Sequence, residues 1–365
     1  YAPGSYAETD ELAALATEAG RCGGMYISHM RSEGNRLLEA IDELIEISRR
    51  SGAPAEIYHL KASGRSNWGK LDAAIARIEA ARAAGQRITT DMYTYPAGST
   101  GLDAAMPTWV QAGGVEQWIA RLKDPATRAK VKAEMIGEPV GFENLMRHAG
   151  GEGTLLVGFK NPRLKPLTGK TLAEVARDRG VSVQDAAMDL VIEDGSRVQV
   201  VYFLMDEANV ARQTALPWMS FGSDAEGQAP EGPFLLSSTH PRAYGNFARL
   251  LAKYVRDEKR LTLAEAVRKL TSQPAHNLGL KDRGMLKVGN YADLVVFDPA
   301  TIQDHATFEK PQQFATGVSE VVVNGTLALE KGEPTRARPG RVVRGRGWTG
   351  WKDGGCRKAA SDWSW

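Results

Sequence analysis

The chain has 365 residues, with 46 Lys and Arg against 44 Asp and Glu and a formal net charge of +2. A balance this close to neutrality gives no long-range field to gather nucleic acid or an anionic membrane, and no apolar run approaches the roughly 18 to 20 residues of a membrane span. Hydrophobic residues at 42% and charged residues at 25% fit a globular protein with a sizeable core and exclude disorder for most of its length.

Tyr1 is followed by no basic and then apolar leader, so the opening reads as the middle of something longer. A helix is predicted from Thr9, taken as its N-cap, through Leu12, Leu15 and Ala16 to a stop at Gly20. Met25 to His29 reads as a strand, and Leu37, Leu38, Ile41, Leu44, Ile45 and Ile47 then recur at helical spacing. The pattern repeats, with a strand from Ala55 to Leu60, an Ala-rich helix from Trp68 to Ala84 and a strand from Gln86 to Tyr95. Strand alternating with helix predicts a parallel sheet. Two strand-end histidines, His29 and His59, lie one βα repeat apart, at the face where a parallel barrel keeps its chemistry.

From about Gly98 to Gly195 the rhythm changes to helices broken by Gly137, Pro139, Gly150 and Gly151, and an excursion this long reads as an insertion, either a lid or a packing subdomain. Val198 to Phe203 and Trp218 to Ser223 are predicted to resume the α/β pattern, closed by helices at Asn246 to Arg256 and Leu263 to Leu270. After Gly279 the pattern turns all-β, with strands at Gly284 to Val288, Ala292 to Asp298 and Ser319 to Asn324 and a hairpin turn at Asn324-Gly325. The last stretch carries Trp348, Trp351, Trp363 and Trp365 without periodicity and is not expected to join the core. Cys22 and Cys356, near opposite ends, make no disulfide framework or Cys-rich zinc site and favour a reducing, cytoplasmic location.

His29 and His59, as neutral imidazoles at neighbouring strand ends, form a candidate zinc pair. Asp224, after a short apolar strand, is either a helix N-cap or a carboxylate that exchanges a proton with a metal-bound water. Lys61 lies two residues after His59, so a strand would aim both to one side. The planar fork of Arg242 suits a carboxylate. For Lys61 and Arg242 the alternative is a solvated surface pair.

These residues carry a resemblance. Ser-His-Met-Arg-Ser-Glu-Gly at 28 to 34, His-Leu-Lys-Ala-Ser-Gly at 59 to 64 and Asp-Met-Tyr-Thr-Tyr-Pro-Ala-Gly-Ser-Thr at 91 to 100 come first. Gly-Ser-Asp at 222 to 224, His-Pro-Arg at 240 to 242 and Gly-Asn-Tyr-Ala-Asp-Leu-Val-Val-Phe-Asp at 289 to 298 follow. In this order they resemble the N-acyl-D-amino-acid deacylase (D-aminoacylase) family of the amidohydrolase superfamily. The resemblance implies a (β/α)8 TIM-like metal-dependent hydrolase barrel, here partial, with its first strands missing, an inserted lid and part of a small β-sandwich. It divides the chain into barrel units at 1–97, the lid at 98–197, the last barrel strands and helices at 198–278, the sandwich part at 279–344 and an irregular tail at 345–365. It also implies Zn2+ as cofactor, His29 and His59 as its ligands, Asp224 as general base and acid, and Lys61, Tyr93 and Arg242 as the holders of a substrate carboxylate. The expected reaction is hydrolysis of a small-molecule N-acyl-D-amino acid, with no nucleic-acid or membrane partner. The family's His-x-His pair and its Cys or Glu ligand would lie upstream of Tyr1, which favours a fragment of a longer enzyme. A cyclic-amide hydrolase of the dihydropyrimidinase or hydantoinase type and a metal-free scaffold are the alternatives.

Overall fold

The structure, a computed structural model, describes residues 3–348 and Cys356. Its strands are β1 (Tyr26–Ser28), β2 (Ala55–Ile57), β3 (Ile88–Met92), β4 (Ala97–Gly101), β5 (Thr154–Gly158), β6 (Gln199–Phe203), β7 (Met219–Phe221), β8 (Leu294–Phe297), β9 (Val318–Val323), β10 (Thr326–Glu330) and β11 (Glu333–Pro334). Four of them form a parallel sheet in the order β1-β2-β3-β7. The register aligns Tyr26, Ala55 and Ile88, and then Thr90 with Met219. By the two-residue alternation of a strand, Ala55, Ile57, Ile88 and Met92 turn toward the covering helices and join their core. Glu56, Thr89 and Asp91 face the other way.

The helix Leu37–Ser51 shows why the cover forms. Leu37, Ala40, Ile41, Leu44 and Ile47 recur at three- and four-residue spacing and are buried, the stripe an amphipathic helix turns to a core. Gly52, at φ 68° with its N–H on the Ser48 carbonyl, ends it. Thr9 does not cap the preceding helix, which takes Glu8 as its N-cap residue. The Thr9 hydroxyl donates instead to Glu43 at 2.7 Å and ties the two helices together.

Between β3 and β7 the chain builds a second unit. β6 does not resume the parallel sheet, contrary to its sequence pattern, but is the central strand of an antiparallel sheet ordered β4-β6-β5. Val200 and Tyr202 face a helical core with Leu102 and Leu156, while Val201 packs with Ala97 and Val157 on the other side. A strand apolar on both faces suits the middle of any covered sheet, so its pattern does not name its neighbours.

The last four strands form an antiparallel sheet ordered β11-β10-β9-β8. Asn324 and Gly325 take φ 50° and 78° in the two-residue hairpin between β9 and β10. Residues 284–288 are not a strand, since Leu286 and Val288 stand in solvent with no ladder beside them. Cys22 and Cys356 are joined as a disulfide across 334 residues of sequence, which corrects the expectation of reduced thiols: sequence distance says nothing about distance in space. Most of the Trp-rich tail, with Trp351, Trp363 and Trp365, lies outside the described residues. Among the described residues no helix is long and apolar enough to cross a membrane.

Candidate metal and carboxylate site

The parallel strands deliver the polar groups at their C-terminal ends. His29 directly follows β1, His59 lies two residues past β2, Tyr93 directly follows β3, and Asp224 lies three past β7. β2 stops at Ile57, so His59 and Lys61 are not aligned by a strand's alternation. His59 takes φ 38°, a left-handed conformation uncommon for a non-glycine residue, and the turn still brings its Nδ1 within 2.7 Å of Lys61 Nζ.

A third group joins them. Glu33 Oε1 lies 2.6 Å from Lys61 Nζ, 2.9 Å from His59 Nδ1 and 3.7 Å from His29 Nδ1, and His29 Nδ1 is 3.2 Å from His59 Nε2. The ligating atoms of His29, Glu33 and His59 lie within 4.8 Å of one another, a cluster capable of holding a metal ion. Two imidazoles and a carboxylate are a donor set that suits zinc, and the Lys61 ammonium seated among them marks the spot as one that favours positive charge. Burial lowers the His29 ring to about 4 despite the opposing charge of Glu33, with His59 and Lys61 adding to the drop. His29 is therefore neutral at pH 7, the form a metal binds. Burial alone would raise Glu33, but the Lys61 ammonium and the two imidazoles hold its carboxyl well below the usual carboxylate range. Burial likewise opposes the charge on Lys61, and Glu33 overrides it.

Arg242 lies across the buried ring of Tyr93. Its guanidinium sits 4.4 Å from that ring's centre, and Lys61 Nζ 5.6 Å from it. Arg242 Nη2 binds Asp224 Oδ2 at 2.7 Å, whereas Nε and Nη1 are buried with no hydrogen-bond partner among the described residues. Leaving two guanidinium donors unpaired in a buried site is costly, and each suits a charge-assisted hydrogen bond to an anionic group such as a carboxylate. His240 fixes the base of this side chain. Its Nε2 lies 2.8 Å from the Ala97 carbonyl and its Nδ1 accepts from the Arg242 amide at 3.0 Å. The single tautomer with the proton on Nε2 satisfies both bonds, and burial holds the ring's pKa well below its ordinary value.

Sequence reasoning named His29, His59, Lys61, Tyr93, Asp224 and Arg242, and these meet on one face. It missed Glu33, whose one signal is a carboxylate four residues after His29, and Asp91, whose Oδ1 accepts the His59 amide at 2.8 Å and so braces that left-handed turn. It also missed Glu56, which accepts the Thr89 hydroxyl at 2.5 Å. Burial first, with the charge of Asp91 adding, pushes Glu56 up to about 7. A carboxyl raised in the fold contributes stability that is fully present below its unfolded value and lost as pH rises through its folded one. Glu56→Gln is therefore expected to gain about 2 kcal/mol relative to the unmodified chain between pH 5 and pH 8. Thermal melts at the two pH values check this, and a difference that stays constant with pH would refute the shift.

Residues 178–328 match a family model described as the amidohydrolase family. An N-acyl-D-glutamate deacylase from Alcaligenes xylosoxydans xylosoxydans is 34% identical over 344 residues, which are 94% of this chain and 59% of the relative. A D-aminoacylase from the same organism is 33% identical over 343 residues, with the same coverage. The crystal structure of a D-aminoacylase described as defining a novel subset of amidohydrolases superposes with a TM-score of 0.75 at 33% identity, over 94% of this chain and 60% of that one. The chain is homologous to the N-acyl-D-amino-acid deacylases of the amidohydrolase superfamily. Its fold is accordingly the superfamily's α/β type, with parallel βα units, an inserted unit and an antiparallel β sheet. An N-acyl-D-glutamate deacylase from Bordetella bronchiseptica, solved with zinc and a phosphonate mimic of the tetrahedral intermediate, also gives a TM-score of 0.75 at 30% identity, over 94% of this chain and 61% of that one. The chain spans about three fifths of the length of these relatives.

Proposed function

We propose that this chain carries the catalytic face of an enzyme that hydrolyses N-acyl-D-amino acids to a carboxylate and a free D-amino acid, with zinc held by His29, Glu33 and His59. One observation carries the reading: a cluster of metal-ligating groups and the unpartnered buried donors of Arg242 lie beside the same Tyr93 ring. Zinc bound there supplies Lewis-acid polarisation of the acyl carbonyl and a water of lowered pKa. Arg242 takes the substrate α-carboxylate through the unpartnered Nη1 while Nη2 keeps hold of Asp224, so one guanidinium fixes the base relative to the substrate. Tyr93 walls the site between the two ends, and Lys61 adds positive charge beside the carboxylate. Asp224 accepts a proton from the attacking water and returns it to the departing amine nitrogen. With carboxylate and acyl group both pinned, the side chain has one direction left, and the L-isomer meets a wall.

The test is a panel of N-acetyl-D- and L-glutamate, aspartate and leucine, with hydantoin and dihydrouracil, run with and without a zinc chelator. Amine release from D-substrates alone, abolished by the chelator, is the expected result. Turnover of the cyclic amides in their place supports the dihydropyrimidinase-like alternative, and failure to bind either zinc or a D-amino acid supports a metal-free scaffold.

A further inference from the structure

A short segment of the inserted unit reaches the residues around the metal cluster at ordinary hydrogen-bond distance. Asn144 anchors the segment to that unit: its Nδ2 donates to the Met135 carbonyl at 3.0 Å and its Oδ1 caps the Arg147 amide at 2.9 Å, with Leu145 and Met146 buried behind it. Two side chains project the other way. Glu143 Oε1 accepts from the Ser32 hydroxyl at 3.1 Å and from the Glu33 amide at 3.0 Å, and Oε2 lies 3.2 Å from the same amide. His148 Nδ1 is 3.2 Å from the Ser63 hydroxyl.

Both contacts are seated on glycines. A Cβ at Gly34 would collide with the His148 ring and come within 2.7 Å of Glu143 Oε1, and one at Gly64, which has φ 86°, would come within 3.0 Å of the His148 ring. The Glu33 peptide is thereby held from both ends, because its carbonyl accepts the Ser63 amide at 2.8 Å while its amide is held by Glu143. Glu33 has little backbone freedom left, and its carboxylate is aimed at His59 and Lys61.

We propose that Glu143 is a positioning residue for the metal cluster, clamping the Glu33 amide from the inserted unit so that seating of that unit and metal binding favour each other. The proposal rests on the reading of His29, Glu33 and His59 as metal ligands. Groups that orient a ligand are worth about 10- to 100-fold in metal affinity, and the coupling is reciprocal.

The experiment uses the full chain, with zinc affinity read by competition against a chromophoric chelator and amide hydrogen exchange followed at Glu33 and Gly34. Glu143→Ala is expected to weaken zinc about 10- to 100-fold and to speed exchange of the Glu33 amide even without metal. Glu143→Gln, which keeps a carbonyl oxygen for that amide, should stay within a few-fold of the unmodified chain, as no position-independent loss would allow. Gly34→Ala, whose added methyl would displace His148 and crowd Glu143 Oε1, should weaken zinc as Glu143→Ala does. Unchanged zinc affinity in Glu143→Ala, an equal loss in Glu143→Gln, or an unchanged Glu33 amide would each overturn the clamp. Absence of zinc binding by the unmodified chain would instead overturn the metal reading, and the exchange rate of the Glu33 amide would still decide whether Glu143 holds it.

Discussion

Replacing Glu33 by alanine is expected to cost about 3–5 kcal/mol of stability and to weaken zinc binding on the order of 100-fold or more, since even groups that only orient ligands reach that range. The carboxylate and Lys61 form an ion pair whose side chains are 3% and 5% exposed. Removing one partner strands an ammonium in a site where its burial already disfavours charge. The sign with pH follows from the same pair. Glu33 titrates far below its ordinary value of 4.5, so its contribution is fully present above that value and fades as pH falls further. The penalty of Glu33→Ala should thus be full at pH 7 and shrink below about pH 4. Lys61→Met separates the two effects: it also breaks the pair, but it removes a cation that competes for the metal's place, so zinc should bind at least as tightly as before. Melting curves and chelator competition on the two single variants and the double variant give the coupling directly. Equal zinc affinity in Glu33→Ala and the unmodified chain would remove Glu33 from the ligand set.

The contrast between Glu33 and its neighbours marks what a sequence reveals here. His29 and His59 stood out because the βα rhythm is local: apolar periods of two and 3.6 residues mark each unit, and a strand end is a place where polar groups are expected. Glu33 acquires its role from Lys61, 28 residues further on, and from Glu143, 110 residues on, and no period in the text encodes such a meeting. The inserted sheet shows the same limit. β4, Ala-Gly-Ser-Thr-Gly, carries Thr100 as its one strand-favouring residue beside two glycines and exists because β6 offers it a complete ladder from Ala97 to Gly101. β6 was visible as a strand, but its partners were not. Left-handed His59 and Asp224, at φ 38° and 48°, are likewise set by surroundings, His59 by the carboxylate of Asp91, and not by propensity.

Arg242→Met is expected to raise KM for an N-acyl-D-amino acid about 100-fold, which corresponds to one buried charge-assisted hydrogen bond of about 3 kcal/mol. The side chain is 5% exposed, so solvent has little access to stand in for its donors, and methionine fills a similar volume without them. Arg242→Lys keeps the charge but offers a compact ammonium in place of the planar guanidinium that reaches both Asp224 and the substrate, and should fall between, near 10-fold on the same scale. kcat should also drop, by a smaller factor, because Asp224 loses the Nη2 contact that aims it. An N-acylated amine without a carboxylate divides the two roles: its kcat/KM should respond only to the freed Asp224, so the ratio between the two substrates isolates carboxylate binding. The D over L preference should narrow as well, since an unpinned carboxylate lets the L-isomer turn its side chain away from the wall. Calorimetric binding of the free D-amino acid gives the same comparison without turnover, and an affinity untouched by Arg242→Met would leave the unpaired Arg242 donors without a ligand.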